Sequence, residues 1–261
     1  MNGLSKMGRM AVLFLLLAGA AHAADEEEPN NGEDFTRPIT RFDMRYRFQE
    51  SSGGVDRDYL ILRRDVTFQL NDDWKFATRI DVPLLWSGAT SSGHTDFGLG
   101  DILLQAGFAK TVTQRFAWGV GARATFPTAT EDLFGTGKYQ LSPLAGARWK
   151  LPEISKGSFF EFVARYDVDI GGEEDRAHIS RLRMAPELNI ALPDKWYVAL
   201  FPSQDIAVDF LKGGKWFVPA DFLIGRHLTD RIVAGIEVSI PVIKEFDLYD
   251  FKVEARLSFH F

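Results

Sequence analysis

From Ile39 to the last residue the chain alternates apolar and polar side chains with a period of two, in twelve successive runs. That period puts neighbouring side chains on opposite faces of an extended strand, and no helix face generates it. In run 39–49, Phe42, Met44, Tyr46 and Phe48 share one face while Arg41, Asp43, Arg45 and Arg47 share the other. Run 249–261 repeats the pattern, with Tyr249, Phe251, Val253, Ala255, Leu257, Phe259 and Phe261 against Asp250, Lys252, Glu254, Arg256, Ser258 and His260. Between them lie 59–70, 74–86, 97–110, 116–127, 139–151, 159–170, 178–192, 196–206, 216–228 and 232–243. Short turns at 71–73, 111–115, 152–158, 193–195 and 229–231 alternate with mostly longer, Gly-, Ser- and Asp-rich segments at 50–58, 87–96, 128–138, 171–177, 207–215 and 244–248. The expected fold is all-β, an up-and-down antiparallel arrangement of twelve strands.

Which face is buried decides the class. A soluble sandwich or barrel turns its apolar face inward. An outer-membrane barrel turns it outward to lipid and lines a wet lumen with polar groups. Four features favour the second. The strand number is even, and most runs reach ten residues or more, enough to cross a bilayer when tilted. Large aromatics collect at the strand ends: Trp74, Phe116, Trp149, Trp196 and Phe261 by the short turns, Trp86, Phe126, Trp216 and Tyr249 by the longer loops. Two such rings are the interfacial girdles of a membrane barrel.

The fourth feature is an export signal. Lys6 and Arg9 precede the apolar stretch Ala11–Ala20, and Ala21-His22-Ala23 follows. This reads as a secretory signal peptide, residues 1–23, cleaved near Ala23. The segment 24–38, with Asp25-Glu26-Glu27-Glu28, has little to bury and is expected as a disordered acidic leader. The barrel then spans 39–261. Lipid offers no partner for unpaired backbone groups, so strand 39–49 must close onto strand 249–261.

Composition removes several function classes. The chain has no Cys, which excludes a disulfide scaffold, a thiolate zinc site, a cysteine nucleophile and a lipoprotein anchor. The chain remaining after residue 23 carries 28 Lys and Arg against 36 Asp and Glu, a net charge of −8 that argues against nucleic acid as a partner. No pair of histidines has metal-ligand spacing, so neither metal nor other cofactor is expected.

Strand parity sends Arg41, Arg45, Arg47, Arg79, Asp81, Arg123, Arg148, Arg165, Arg183, Glu187, Glu254 and Arg256 into the lumen as candidate constriction residues. The whole interior set is close to balanced, fourteen cations against twelve anions, which excludes a strongly ion-selective field. Twelve tilted strands give a backbone diameter of about 24 Å, and facing arginines remove roughly half of it. The bore then suits small solutes, or is stiffened into a closed structural barrel by paired charges. The leader is also able to enter it, its carboxylates meeting the arginines. Pro83, Pro127, Pro143, Pro202, Pro219 and Pro241 all fall toward the longer-loop end, where each removes a ladder donor. They mark tolerant strand ends or a lateral opening for an apolar solute; Pro186, in mid-strand, fits neither.

Within 97–150, Gly98-Leu99-Gly100-Asp101, Phe126-Pro127-Thr128 and Gly135-Thr136-Gly137-Lys138-Tyr139 resemble the outer-membrane transporter family named for the MetA pathway of phenol degradation. The resemblance implies passage of small, often aromatic, solutes, without a defined set of binding residues. The last strand, ending on Phe261, resembles the terminal signature of bacterial outer-membrane barrels. That likeness implies outer-membrane lipids and the barrel assembly machinery as partners.

The competing reading is a lipid hydrolase. His178-Ile179-Ser180 resembles the His-x-Ser arrangement of the outer-membrane phospholipase family, and parity puts both side chains on the lipid face. A nucleophile system needs a third, orienting group. That family supplies an Asn and a Gly-rich calcium-binding stretch; here Arg181-Leu182-Arg183-Met184 follows, so the expectation is no enzyme. Arg64 resists the barrel reading. It falls on the lipid face, at a cost of about 2–4 kcal/mol near mid-membrane, unless a bulge or an oligomer contact relieves it. Arg226 lies near a turn and can snorkel.

Overall fold

The computed structural model describes residues 30–51, 55–87 and 96–261. The expected signal peptide 1–23, residues 24–29 of the expected leader, and the loop residues 52–54 and 88–95 lie outside these described residues. Fourteen β segments follow one another: β1 Arg41–Ser51, β2 Val55–Gln69, β3 Trp74–Ser87, β4 Asp96–Leu99, β5 Ile102–Thr111, β6 Phe116–Phe126 and β7 Lys138–Lys150. The second half comprises β8 Phe159–Gly172, β9 Ser180–Ala191, β10 Trp196–Leu200, β11 Ile206–Asp209, β12 Lys215–His227, β13 Ile232–Lys244 and β14 Phe251–His260.

All pairings are antiparallel, and β1 pairs with β14 from Arg41↔His260 to Glu50↔Phe251. The sheet therefore closes on itself as expected. Fourteen segments make twelve staves, because β4 and β5 form one interrupted stave and β10 and β11 another. Closure leaves no sheet edge for lipid to meet.

The barrel is inside-out. Phe68, Phe108, Leu104, Val120 and Phe222 are exposed on the outer surface, whereas Asp43, Glu187, Glu237 and Glu254 are buried. Aromatic contacts run along the outer wall, with Trp74 edge-on to Trp118 at 5.6 Å and Phe116 beside Trp149 at 5.2 Å. The tight turns owe their form to local chemistry. Asn71 Oδ1 accepts from the Asp73 and Trp74 N–H groups, and Thr229 Oγ1 accepts from those of Arg231 and Ile232. In the third turn Asp194 and Lys195 both adopt positive φ, 56° and 63°, as a two-residue hairpin turn requires.

Several expectations need correction. The segment 50–58 is mostly strand, since β1 runs to Ser51 and β2 begins at Val55. The run 196–206 is broken at 201–205, and 207–215 is not a plain loop, because Ile206–Asp209 returns to the wall between β9 and β12. Tyr249 does not face lipid. It is buried against Phe217, with ring centroids 4.9 Å apart, and its hydroxyl pairs with Ser239 and donates to Asp205. The final strand begins only at Phe251, and Asp250 pairs with Lys244 rather than lining the seam.

Prolines coincide with irregularities of the wall. Pro219 stands opposite Pro241 at a register shift between Val218 and Pro219. Pro202 lies inside the break between β10 and β11. Opposite that break, β9 has no pairing from Ala185 to Glu187 on this side, which accommodates Pro186 in mid-strand. Arg64 needs no bulge: its guanidinium lies over the Phe261 ring at 4.9 Å, at the short-turn rim. Arg226 does the same with Trp196 at 5.3 Å, and its Nε donates to the Asp194 carbonyl.

Candidate functional site

The barrel interior is the site, and β1 with its two neighbours builds the densest part. Inward-facing charges of both signs crowd together here. Some rows alternate, as Arg41↔Asp65↔Arg79 does, while others set like charges opposite, as at Arg45↔Arg256 and Glu237↔Glu254, and ion pairs form within and across strands. Arg41 and Arg79 both contact Asp65, at 2.8 and 2.7 Å, and Arg63 meets Asp81 at 2.7 Å. Arg45 bridges Asp43 at 2.8 Å and Glu254 at 3.3 Å, while Arg47 meets Glu254 at 2.6 Å. Arg256 contacts Glu254 at 2.9 Å and also Glu237, which Lys252 reaches at 2.6 Å. A second network on β8, β9 and β11 joins Arg165 and Arg183 to Asp167, and Arg181 to Asp209. Such pairing offsets the desolvation of buried charges.

Residues 30–38 pass through this interior, which corrects the expectation of a solvated leader for that part of it. Its hold is polar. Asp34 pairs with Arg148 at 3.2 Å, and Glu33 with Arg256 at 3.0 Å. Arg41 donates to the Gly32 carbonyl, Asn31 to Asn189, and the Phe35 N–H to Glu161. The Phe35 ring rests on Gly119 and Gly146, which face each other across β6 and β7; a Cβ there would stand 2.9 and 3.0 Å from the ring. Few apolar residues are needed because wall arginines supply the partners.

A second inward element comes from the broken stave. Phe201 takes φ 53°, and the chain 202–205 leaves the wall. Ser203 donates to Glu237, Gln204 accepts from Arg165 at 2.8 Å, and Asp205 takes Lys252 at 2.6 Å. Between this element, residues 32–39 and the wall remains a cavity of about 420 Å³.

All twelve sequence-derived candidates face the interior. Arg41, Arg45, Arg47, Arg79, Glu254 and Arg256 meet in the seam network, Asp81 pairs with Arg63 beside it, and Arg165 and Arg183 share Asp167. Arg148 and Arg256 clamp the N-terminal segment. Glu187 faces Glu161 across β8 and β9 and accepts from Asn189. Among the described residues Arg123 bonds only Gln105. Sequence reasoning offered the leader's carboxylates as able to meet the lumen arginines without singling out Glu33 or Asp34, and it missed Phe35, Gln204 and Asp205 as site residues. The surplus of inward arginines was the available signal for the acids.

The three motif pieces within 97–150 converge at the interrupted stave β4–β5. Asp101 accepts from both the N–H and the hydroxyl of Thr136, and the Thr128 hydroxyl donates to the Gly100 carbonyl. Gly135 is tight against Asp101, where a Cβ would stand 2.4 Å from its carboxylate. The motif residues therefore tie a loop over a wall break.

In the adjoining β8–β9 hairpin, whose Arg176 reaches the Asp132 and Gly135 carbonyls of that loop, His178 pairs with Asp169 at 2.8 Å, so an orienting acid is present. Ser180, however, shares its hydrogen bond with the Tyr166 hydroxyl at 2.6 Å, and no bond joins it to His178. The arrangement lacks the nucleophile–base contact on which Ser–His chemistry depends.

The fold is that of outer-membrane barrels. A COG4313 outer membrane channel from Pseudomonas putida F1 superposes with TM-score 0.68 at 12% identity, covering 93% of this chain and all of that one. The NanC porin gives 0.55 at 14% identity, with 84% and 100% covered. An outer membrane phospholipase A from Escherichia coli gives 0.51 at 9% identity, with 90% and 98% covered. No curated protein sequence matches the chain. Residues 51–200, more than half of the sequence and all three motif pieces among them, match a single family. The chain belongs to that family, described as Putative MetA-pathway of phenol degradation.

Proposed function

We propose that this protein is a channel of the bacterial outer membrane through which small molecules pass passively, within a lumen walled by paired charges and narrowed by residues 30–38. The observation that carries this reading is the cavity of about 420 Å³ left between the two inward elements and the wall. A structural barrel has no use for such a space, and its charges would fill it. Aromatic or amphiphilic solutes suit a cavity with apolar residues such as Leu144, Val163 and Phe35 beside arginines. Export through a signal peptide cut near Ala23 brings the chain to that membrane. Phe261, exposed at the end of the last strand, is the group the assembly machinery would read.

Planar-bilayer recording of the refolded full chain is the direct test. Discrete conductance steps, with liposome swelling in small neutral solutes, are expected; silence in both overturns the channel. The protein on this reading performs no chemistry. The Asp169–His178 pair is the one feature that favours a hydrolase. Lipid cleavage by the wild type that Ser180→Ala abolishes would replace the channel reading with that one.

A further inference from the structure

One hydrogen-bonded row crosses the interior from β1 to β7: Arg41↔Asp65↔Arg79↔Gln105↔Arg123↔Ser142. Its charges alternate, positive, negative, positive, until position 105. There a neutral amide stands where the alternation calls for a carboxylate. Arg123 donates from Nε and Nη2 to the one Gln105 oxygen, at 3.1 and 2.8 Å, and Nη1 has no partner among the described residues. The carboxylates whose charge reaches it, Asp81 and Asp167, are already held by Arg63 and by Arg165 with Arg183. Arg79 and Arg165 add further positive charge around it.

Arg123 is the one sequence-derived lumen arginine without a carboxylate in ion-pair contact among the described residues. It also lines the cavity, with Gln105 beside it and Phe35, Leu144 and Val163 on the apolar side. A guanidinium with a free edge in a cavity walled by protein fits a planar carboxylate. The apolar patch fits an organic body attached to it. We propose that Arg123 is the recognition group of a binding site for small organic carboxylates inside the barrel. As a statement of what the channel carries, it rests on the reading above; as a statement of binding, it stands on the row and the cavity.

Two measurements separate these. Calorimetric titration of the detergent-solubilised full chain with benzoate, benzyl alcohol and benzylammonium tests the site alone. Benzoate should bind at least about tenfold more tightly than either of the others, the range a charge-assisted contact supplies. Arg123→Gln should erase that preference. Gln105→Glu should erase it too, by supplying the missing acid while keeping the arginine and restoring the alternation, so its loss is not a folding failure. Equal binding of benzoate and benzyl alcohol, or an Arg123→Gln and Gln105→Glu pair that both retain the preference, overturns the site. Bilayer reversal potentials under a benzoate gradient then test carriage. Conductance with a benzoate preference unchanged by Arg123→Gln removes the site and leaves the channel. Arg123-dependent binding without conductance removes the channel and leaves the site.

Discussion

Two walls of the same barrel face one another with opposite fillings. On β13, β14, β1 and β2 the inward residues are long and ionic, and their side chains interlock. On β5, β6 and β7 the inward set includes Gly107, Ala109, Ala117, Gly119, Gly121 and Gly146, which project almost nothing. The crowded wall stiffens the seam where the sheet closes. The bare wall leaves the room that Phe35 and the cavity occupy. Twelve staves alone therefore do not set the bore; the distribution of side-chain volume around the ring does.

Removing Glu254 attacks the crowded wall most directly, because Arg45, Arg47 and Arg256 all contact it. Glu254→Ala should lower stability by about 3–5 kcal/mol, the cost of leaving buried charge uncompensated. Urea unfolding in detergent micelles reads it, and an unchanged midpoint would mean the seam charges are independent of one another. Next in size is Asp34→Ala, which strands Arg148. Segment 30–38 should then undock, seen as higher single-channel conductance and new protease cleavage before Ile39; conductance equal to wild type would show that the segment does not narrow the path. Phe35→Ala tests the bare wall. Phe35 is half-buried, so the loss should fall below the about 3–5 kcal/mol of a core phenylalanine, with conductance rising less than for Asp34→Ala. A larger rise would shift the narrowing from the ion pair to the ring. The smallest effect belongs outside the barrel. Arg64→Leu exchanges a cation–π contact for lipid-facing leucine and should change stability by no more than about 1 kcal/mol; a large loss would give Arg64 a partner beyond Phe261.

Much of this was legible from the chain. Parity assigned both faces of the wall, because a period of two leaves no freedom once one face is known. The seam followed from backbone satisfaction, and the tight turns from Asn71, Thr229 and the Pro193-Asp194-Lys195 sequence. Inward excursions were not legible. Run 196–206 keeps its alternation through Phe201, and a single positive φ there sends the chain into the lumen; only Pro202, with Pro186 opposite, hinted at it. Residues 30–38 offer little apolar surface and so read as a solvated leader, with entry into the bore as the alternative; Arg148, Arg256 and Asn189 hold them inside by charge and hydrogen bonds. Tyr249 obeyed parity in sequence but precedes the first paired residue, so the strand rule did not apply to it. Gln105 drew no notice because a neutral residue counts for nothing in a charge tally, though its place in an alternating row gives it meaning.

Closure through β1 and β14 carries a consequence for how the molecule is made. Glu33 and Arg256 lie 223 residues apart, and Arg45 is 209 residues from Glu254. Such contacts are among the longest in sequence separation among the described residues, and the entropy of bringing the ends together precedes any reward from them. The ionic latch and the threaded segment must therefore form last, after the intermediate staves are in place. A chain truncated by even its final strand would leave Arg47 without Glu254 and the β1 backbone unpaired on one side, so completion and closure coincide in biogenesis.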